Sequence, residues 1–489
     1  MYNMTVNRNR FASCHPMRDV IYICCYSGKE VMEMARSTVR DLTEGKPFRL
    51  VVAFAMPLLF GVLFQQLYSF VDTAIVGRTL GAEKLGAVGS TGSINFLILG
   101  FCMGICSGFA IPVAQSFGAK DYSEMRRFVI HAAKLCAVTG VTLGIATALL
   151  CPLILQWMNT PDEILDDAVS YIRIIFAAIP VTMLYNMTAG ILRSLGDSRT
   201  PVLFLILAAL LNVVLDLLFI IRFGMGVAGA AWATAVSQLC SGTGCLIFLM
   251  KRFPILKTEP AETKWDGRYA KRLMGIGVPM GLQFSITAIG SVILQTSVNG
   301  LGTTAVAAVT AGGKLSMFFT CIYDALSSTM ATFAGQNVGA KKLDRIGEGL
   351  KAASVIGIAY SIFATVVLWL FGKQLVGLFV DAGDSEVIDM AYQYLQANSI
   401  LYIPLLFVNI VRLTIQGMGF TRVAMIAGLF EMVARSFVAL ILVPVFKYTA
   451  ACFANPAAWV AADLFLFPCY FSMMKRLRIR FGQYKFREE

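Results

Sequence analysis

The chain carries twelve stretches of mostly apolar residues, near 50–76, 89–117, 126–150, 164–191, 200–222, 226–250, 270–298, 304–337, 349–371, 386–416, 422–446 and 452–475. Each has about the twenty apolar residues that a helix needs to cross hydrocarbon. Within lipid every backbone N–H and C=O must be satisfied internally, so only helices and closed barrels span. The runs are continuous rather than alternating, which selects helices. The expected fold is therefore an all-α polytopic membrane protein with twelve transmembrane helices. Composition agrees: 57% of the residues are hydrophobic and 14% charged, too few charges to coat a soluble protein of 489 residues.

The formal charge of +12 at pH 7 raises nucleic acid as a partner. The basic residues instead lie between apolar runs. With the N-terminus placed inside, 31 Lys and Arg fall in inside segments and 5 in outside loops. That bias predicts cytoplasmic termini and an even number of spans. The outside loops are acidic, with Asp162, Glu163, Asp166 and Asp167 in one and Asp381, Asp384 and Glu386 in its counterpart. The expected location is a bacterial cytoplasmic (inner) membrane, with the bilayer and a small organic substrate as partners, no nucleic acid, and a monomeric chain. The 12 cysteines are scattered without metal-ligand spacing and read as small apolar residues. His131, near the start of the third span, reads as a surface residue rather than a proton relay.

The chain also repeats itself. Residues 81–120 align with 302–341 without a gap, pairing Gly81 with Gly302, Gln115 with Gln336 and Gly118-Ala119-Lys120 with Gly339-Ala340-Lys341. Tyr171 pairs with Tyr394, Gly196 with Gly419, Arg199 with Arg422, and Pro57 with Pro279. The duplication divides the chain into a tail (1–49, its first ~35 residues expected to be disordered), a six-helix lobe (50–250), a polar linker (251–269), a second six-helix lobe (270–475) and a basic tail (476–489). Met32 and Met34 compete with Met1 as the start. Six spans per repeat give both copies one orientation, and transporters commonly place substrate between such halves.

Gly100, Gly104 and Gly108 stand at the four-residue spacing that lets membrane helices approach closely, a packing role. Gly224-Met225-Gly226-Val227-Ala228-Gly229 fits a dinucleotide fingerprint, but it joins two spans and reads as a tight turn. Charges inside the membrane are expensive and mark function or pairing. Asp72 lies late in the first span; Asn212 and Asp216 lie one turn apart in the fifth; Thr234 adds a hydroxyl in the sixth. The second lobe does not repeat the acids, since Asp72 maps to Ile293 and Asp216 to Ala439. Two carboxylates in one low-dielectric pocket cannot both ionise cheaply, so this group is expected to bind H⁺ or Na⁺. The alternative is that each Asp bonds a neighbouring helix structurally. Glu431 and Arg435, at i and i+4, read as an ion pair. Asp324, mid-span in the eighth helix, is a candidate for the substrate cavity. No nucleophile triad, phosphate loop or metal cluster is present in the sequence, so no enzymatic activity and no cofactor is expected.

The run Pro57, Gln65-Gln66-Leu67-Tyr68-Ser69-Phe70-Val71-Asp72-Thr73, Val76-Gly77 resembles the first helix of MATE (multidrug and toxic compound extrusion) transporters. Gly118-Ala119-Lys120, Gly196-Asp197, Asn212 with Asp216, and Gly226-Val227-Ala228-Gly229 resemble the same family, over about residues 40–475, and most of all its DinF-like prokaryotic branch. The resemblance implies two lobes around a central cavity that alternate between outward- and inward-facing states, exporting cationic and amphipathic compounds against entry of H⁺ or Na⁺. It implies that Asp72, Asn212, Asp216 and Thr234 form the coupling pocket and that Gln65 lines the cavity beside Tyr68. Pro57 supplies a hinge in the first helix. Another branch places acids in the seventh and tenth helices; residues 279–298 and 390–416 hold none. The competing readings are a flippase for lipid-linked sugars, which typically has fourteen spans and a cationic cavity, and a non-transporting sensor or scaffold.

Overall fold

The computed structural model describes residues 40–158, 160–378 and 384–483. The expected disorder of the first ~35 residues, the question of the start, Asp381 and the end of the basic tail lie outside these residues. The first lobe comprises α1 (Pro47–Leu80), a short α2 (Ala82–Ser90), α3 (Gly92–Gly118), α4 (Tyr122–Trp157), α5 (Asp162–Ala177), α6 (Ile179–Ser194), α7 (Arg199–Asp216) and α8 (Gly226–Arg252). The second lobe comprises α9 (Gly267–Asn299), α10 (Thr303–Gly339), α11 (Leu343–Val376), α12 (Ser385–Ile400), α13 (Tyr402–Gly417), α14 (Thr421–Phe437) and α15 (Val443–Arg480).

Nine segments among the described residues are long and apolar enough to span. The bent pairs α5–α6 (45°) and α12–α13 (54°) add two more. One of the nine, Thr421–Arg480, runs for 60 residues, while the other eight each cross once. At ~1.5 Å per residue it would stretch about 90 Å, three times the hydrocarbon thickness. It folds back at Lys447, whose φ of 53° and ψ of −134° break the helix, so that α14 and α15 pack side by side. The result is twelve crossings in two six-helix lobes. Large apolar side chains point outward, as they do at Leu149, Leu150, Phe363 and Leu370, because lipid rather than water surrounds them.

The glycine stripe of α3 faces the other lobe. A Cβ on Gly104 would stand 2.6 Å from Gly281 Cα, and one on Gly108 would stand 2.5 Å from Gly277 Cα. Backbone contact this close between α3 and α9 is possible only for glycine, and it fills the space that a hydrophobic effect would otherwise close. The sequence expectation of a packing role holds, and the packing joins the lobes.

The lobes also close on one another at the end that carries the basic residues and the termini. The duplicated residues meet there. Gln115 Nε2 donates to Gly417 O (3.1 Å), and its counterpart Gln336 Nε2 donates to Ser194 O (2.8 Å). Ser194 and Gly417 are themselves counterparts, so one reciprocal pair of bonds relates the two halves. Residues 40–44 run across this closure. Arg40 N–H donates to Gly196 O (3.2 Å), and Leu42 N–H donates to Gln336 Oε1 (2.9 Å). Leu42 O accepts from Asn337 Nδ2 (3.2 Å) and Arg345 Nη2 (3.3 Å). Leu42 is fully buried, in one apolar cluster with Val51, Phe54 and Leu58 of α1 and Leu326, Met330 and Phe333 of α10. The first half of α1 thus packs on the opposite lobe.

The linker is docked rather than loose. Glu262 is buried and accepts from Arg126 Nε and Nη2 (both 2.7 Å) and from Ser123 Oγ (2.8 Å). The Arg126 guanidinium holds the Glu262 carboxyl down at about 2. His131 corrects the expectation of a surface residue. It is buried under the linker, its Nδ1 donates to Arg127 O (2.7 Å), and its Nε2 accepts from Asp266 N–H (2.9 Å). Trp265 and Tyr269 cover its ring.

The Glu431–Arg435 pair expected from i, i+4 spacing does not form. Glu431 pairs with Arg412 of α13, and Arg435 donates to Thr287 O and Ser291 Oγ of α9 (both 3.4 Å). Arg412, Glu431 and Arg435 are all buried, so the choice of partner is made by packing between α13 and α14 rather than by spacing along α14. Removing one partner of such a pair leaves a buried charge uncompensated. Arg412→Ala is expected to lower stability by about 3–5 kcal/mol, read as thermal unfolding in detergent. Arg412→Met combined with Glu431→Gln is expected to recover most of the loss.

Candidate functional site

The site assembles in the first lobe, from the second half of α1 and from α7 and α8. Asp72 projects from α1 into the lobe toward Asp216, the last residue of α7, which is fully buried. Their carboxyl groups face each other within hydrogen-bonding reach, and Tyr171 of α5 stands within electrostatic range of both. Asp216 sits where α7 widens into a π-helical turn, Leu217–Arg222. Such turns recur at functional positions because they re-aim one side chain. The second lobe has the matching π turn, Val438–Leu442, directly after α14.

Asn212 ties the group together. With its amide turned so that the nitrogen faces the acceptors around it, Asn212 donates to Asp216 Oδ2 (2.8 Å) and to the Tyr68 hydroxyl oxygen (2.7 Å), and its oxygen accepts from Thr234 N–H (3.0 Å). The Thr234 hydroxyl donates to Ala230 O (3.0 Å). One oxygen on each carboxyl, Asp72 Oδ1 and Asp216 Oδ1, is buried without a partner. Two facing carboxyls can share a proton as a hydrogen bond. Alternatively, their free oxygens, with Asn212 and the two hydroxyls, offer a small hard cation the all-oxygen donor set it takes. Among the described residues no group of three or more His, Cys, Asp or Glu is arranged to hold a metal ion, and the nine described cysteines are free thiols.

A cavity of about 50 Å³ adjoins the site, lined by Gln65, Tyr68, Asn212, Thr234, Ser237 and Gln238 among others. The structure therefore brings together Asp72, Asn212, Asp216, Thr234, Tyr68 and Gln65. Gln238 and Tyr171 join them unannounced. Gln238, whose Oε1 is buried without a partner, stands one turn beyond Thr234 on the same face, a polar spacing visible in the sequence of α8. Tyr171 carried no signal beyond its match to Tyr394. Asp324 lies elsewhere, on α10, with its side chain open and its carboxylate in no ion pair among the described residues. α1 runs as one continuous helix across Pro57.

The corresponding place in the second lobe is apolar. Ile293 and Ala439, which replace the acids, pack with Leu294, Val298, Val438 and Val443 in an apolar cluster. The duplication kept the scaffold, including its π turn, and only one copy carries the acids.

The sequence profile described as MatE matches residues 57–218 and 279–441, one match per lobe. The chain is 31% identical over 373 residues to "Probable multidrug resistance protein YpnP" of Bacillus subtilis (strain 168), covering 76% of this chain and 82% of that protein. It is 23% identical to "Multidrug export protein MepA" of Staphylococcus aureus (strain MSSA476), covering 78% and 85%. A solved structure described as the outward-facing conformation of a multidrug resistance MATE family transporter superposes with a TM-score of 0.84. That structure is 22% identical, and the match covers 89% of this chain and 98% of that one. The duplicated six-helix lobes, the single acidic pocket and the two-part profile match have one explanation: the chain belongs to the MatE family of membrane transporters.

Proposed function

We propose that the protein exports small organic molecules, cationic or amphipathic, in exchange for an entering cation, with Asp72 and Asp216 as the coupling carboxyls and Asn212, Thr234 and Tyr68 supplying neutral polar groups. The observation that carries this reading is the facing carboxyl pair, present in one lobe and replaced by packed Ile293 and Ala439 in the other. Facing carboxyls bond to each other only while they hold a proton, which favours H⁺ as the coupling ion.

Helix α1 is the transmitting element. Its second half bears Asp72, and its first half packs on the opposite lobe through Val51, Phe54 and Leu58. Protonation neutralises the pair and stabilises one arrangement of α1; release of the proton restores repulsion and favours another. The lobes then exchange populations between a cleft closed at the basic end and a cleft open there, which is alternating access by population shift. The basic-residue bias supports placing that end, with both termini, in the cytoplasm of a bacterial cell. The chain acts as a monomer, since each lobe finds its partner within one chain.

The test is transport of ethidium by the protein in proteoliposomes with pH and Na⁺ gradients imposed separately. Transport driven by the pH gradient alone is expected. Transport driven by Na⁺ alone would overturn the proton assignment, and none under either gradient would overturn cation-coupled export of this class.

A further inference from the structure

Between the two lobes, toward the basic end, lies a second cavity of about 70 Å³. Ser107 of α3, Gly190 and Arg193 of α6, Met280 of α9 and Ser328 and Thr332 of α10 line it, so both lobes contribute. Arg193 is the only charged residue among its lining groups. Among the described residues its guanidinium makes no ion pair and no hydrogen bond, and the ionisable side chains around it are those of Tyr185, Cys106 and Cys245 rather than carboxylates.

An Arg in the last turn of a helix ordinarily reaches outward, toward the helix C-terminal carbonyls and water. Arg193 instead folds back. Its Nη2 is 4.0 Å from where a Cβ on Gly190 would stand, one turn toward the helix N-terminus, so the guanidinium points into the cleft. The absent side chain at Gly190 leaves it that room. The position has no equivalent charge in the second lobe, where the counterpart of Arg193 is Gln416, already bonded to Gln283. A guanidinium left unpaired at this depth is expensive, and an arrangement that keeps it so is complete only when an anion arrives. A planar carboxylate matches its paired N–H donors, and the hydroxyls of Ser107 and Ser328 stand on the opposite walls to donate to the same group.

We propose that Arg193 is an anion subsite of the transport cleft, and that the exported compounds include organic molecules bearing a carboxylate or sulfonate. The subsite takes the anionic group alone, since 70 Å³ holds no more than that while the basic end is closed; the rest of the molecule occupies the cleft toward the opposite end. Asp324 stands one turn from Ser328 on α10, toward that opposite end. A molecule held by Arg193 thus presents its other end to a carboxylate, which suits zwitterions over dianions.

The inference rests on the export reading but is tested by equilibrium binding, which needs no gradient. Fluorescence polarisation in detergent compares a xanthene dye with a free carboxylate against the same dye as its methyl ester. The wild-type protein is expected to bind the acid about tenfold more tightly than the ester, the scale of one charge-assisted bidentate contact. In Arg193→Gln the preference is expected to vanish, and in Arg193→Lys part of it should remain; thermal unfolding of each variant verifies that it is folded. A preference that persists in Arg193→Gln, or a wild-type protein that binds the ester at least as well as the acid, overturns the proposal. An Arg193-dependent preference for the acid in a protein that moves no dye under any gradient would support the subsite and overturn the export reading instead.

Discussion

Asp72→Asn and Asp216→Asn are each expected to reduce gradient-driven export by about a hundredfold or more, because a coupling equilibrium loses its drive once one state can no longer differ in proton affinity from the other. Asn is nearly the size of Asp and can occupy the same bonds. At position 216 it still accepts from the Asn212 amide, and at position 72 it faces the carboxyl of Asp216 as a donor. What it cannot do is take up and release a proton. The variants should therefore reach the membrane and melt within a few degrees of the wild type while ethidium accumulation inside cells rises. Asp324→Asn provides the contrast. Its carboxylate joins no ion pair among the described residues and stands on α10, apart from the pocket, so export of ethidium should remain driven by the pH gradient, with a raised KM rather than lost coupling. Wild-type export rates from both Asp72→Asn and Asp216→Asn, under the same pH gradient, would remove the first-lobe pocket from the mechanism.

Gly118→Val and Gly339→Val should be as damaging, and for a different reason. A Cβ on Gly339 would stand 1.8 Å from Gln115 O, and one on Gly118 would stand 2.0 Å from Gln336 O. Both contacts are with backbone of the opposite lobe, which has no flexible end to move aside. These glycines sit beside the reciprocal bonds of Gln115 and Gln336, where the lobes close. A side chain there holds the basic end apart and populates the open arrangement at the expense of the closed one. Export should fall below about one-tenth of the wild-type rate. In a background without native cysteines, a cysteine at Thr332 should react faster with a thiol reagent supplied from the basic side. Gly347→Ala serves as the control, since nothing lies within 4 Å of its Cβ position, and it should behave as the wild type. Unchanged labelling at position 332 in the valine variants would mean that closure does not depend on these contacts.

The periodicity of helices accounts for what could be read in advance. Apolar runs of spanning length, the duplication, the stripe of Gly100, Gly104 and Gly108 and the loss of acids at Ile293 and Ala439 are all properties of position along the chain, and lipid leaves the backbone of such runs no choice but the helix. The tight turn at Gly224 and Gly226 was legible for the same reason, and both residues adopt positive φ, 63° and 59°. Spacing also placed Asn212 and Asp216 on one face of α7.

Spacing names a face, however, and not the helix that packs on it. Glu431 and Arg435 share a face of α14, yet Glu431 pairs with Arg412 on another helix while Arg435 bonds to α9. His131 lies buried because residues 254–266 fold back over it, which no local pattern at residue 131 encodes. Gln115 and Gln336 stood out as a repeat without any sign that each bonds across the lobe boundary. Nothing in the spacing around Arg193 marks it as facing the cavity between the lobes, since its direction depends on the room left at Gly190 and on α3 opposite. The sequence by itself determined the number of membrane crossings, the two lobes and the lobe that holds the acids, because hydrophobicity and repetition are carried residue by residue. Only the tertiary structure decided which helices meet, and with them which polar groups find partners and which are left open for a ligand, because those contacts are made between segments that are distant in the chain.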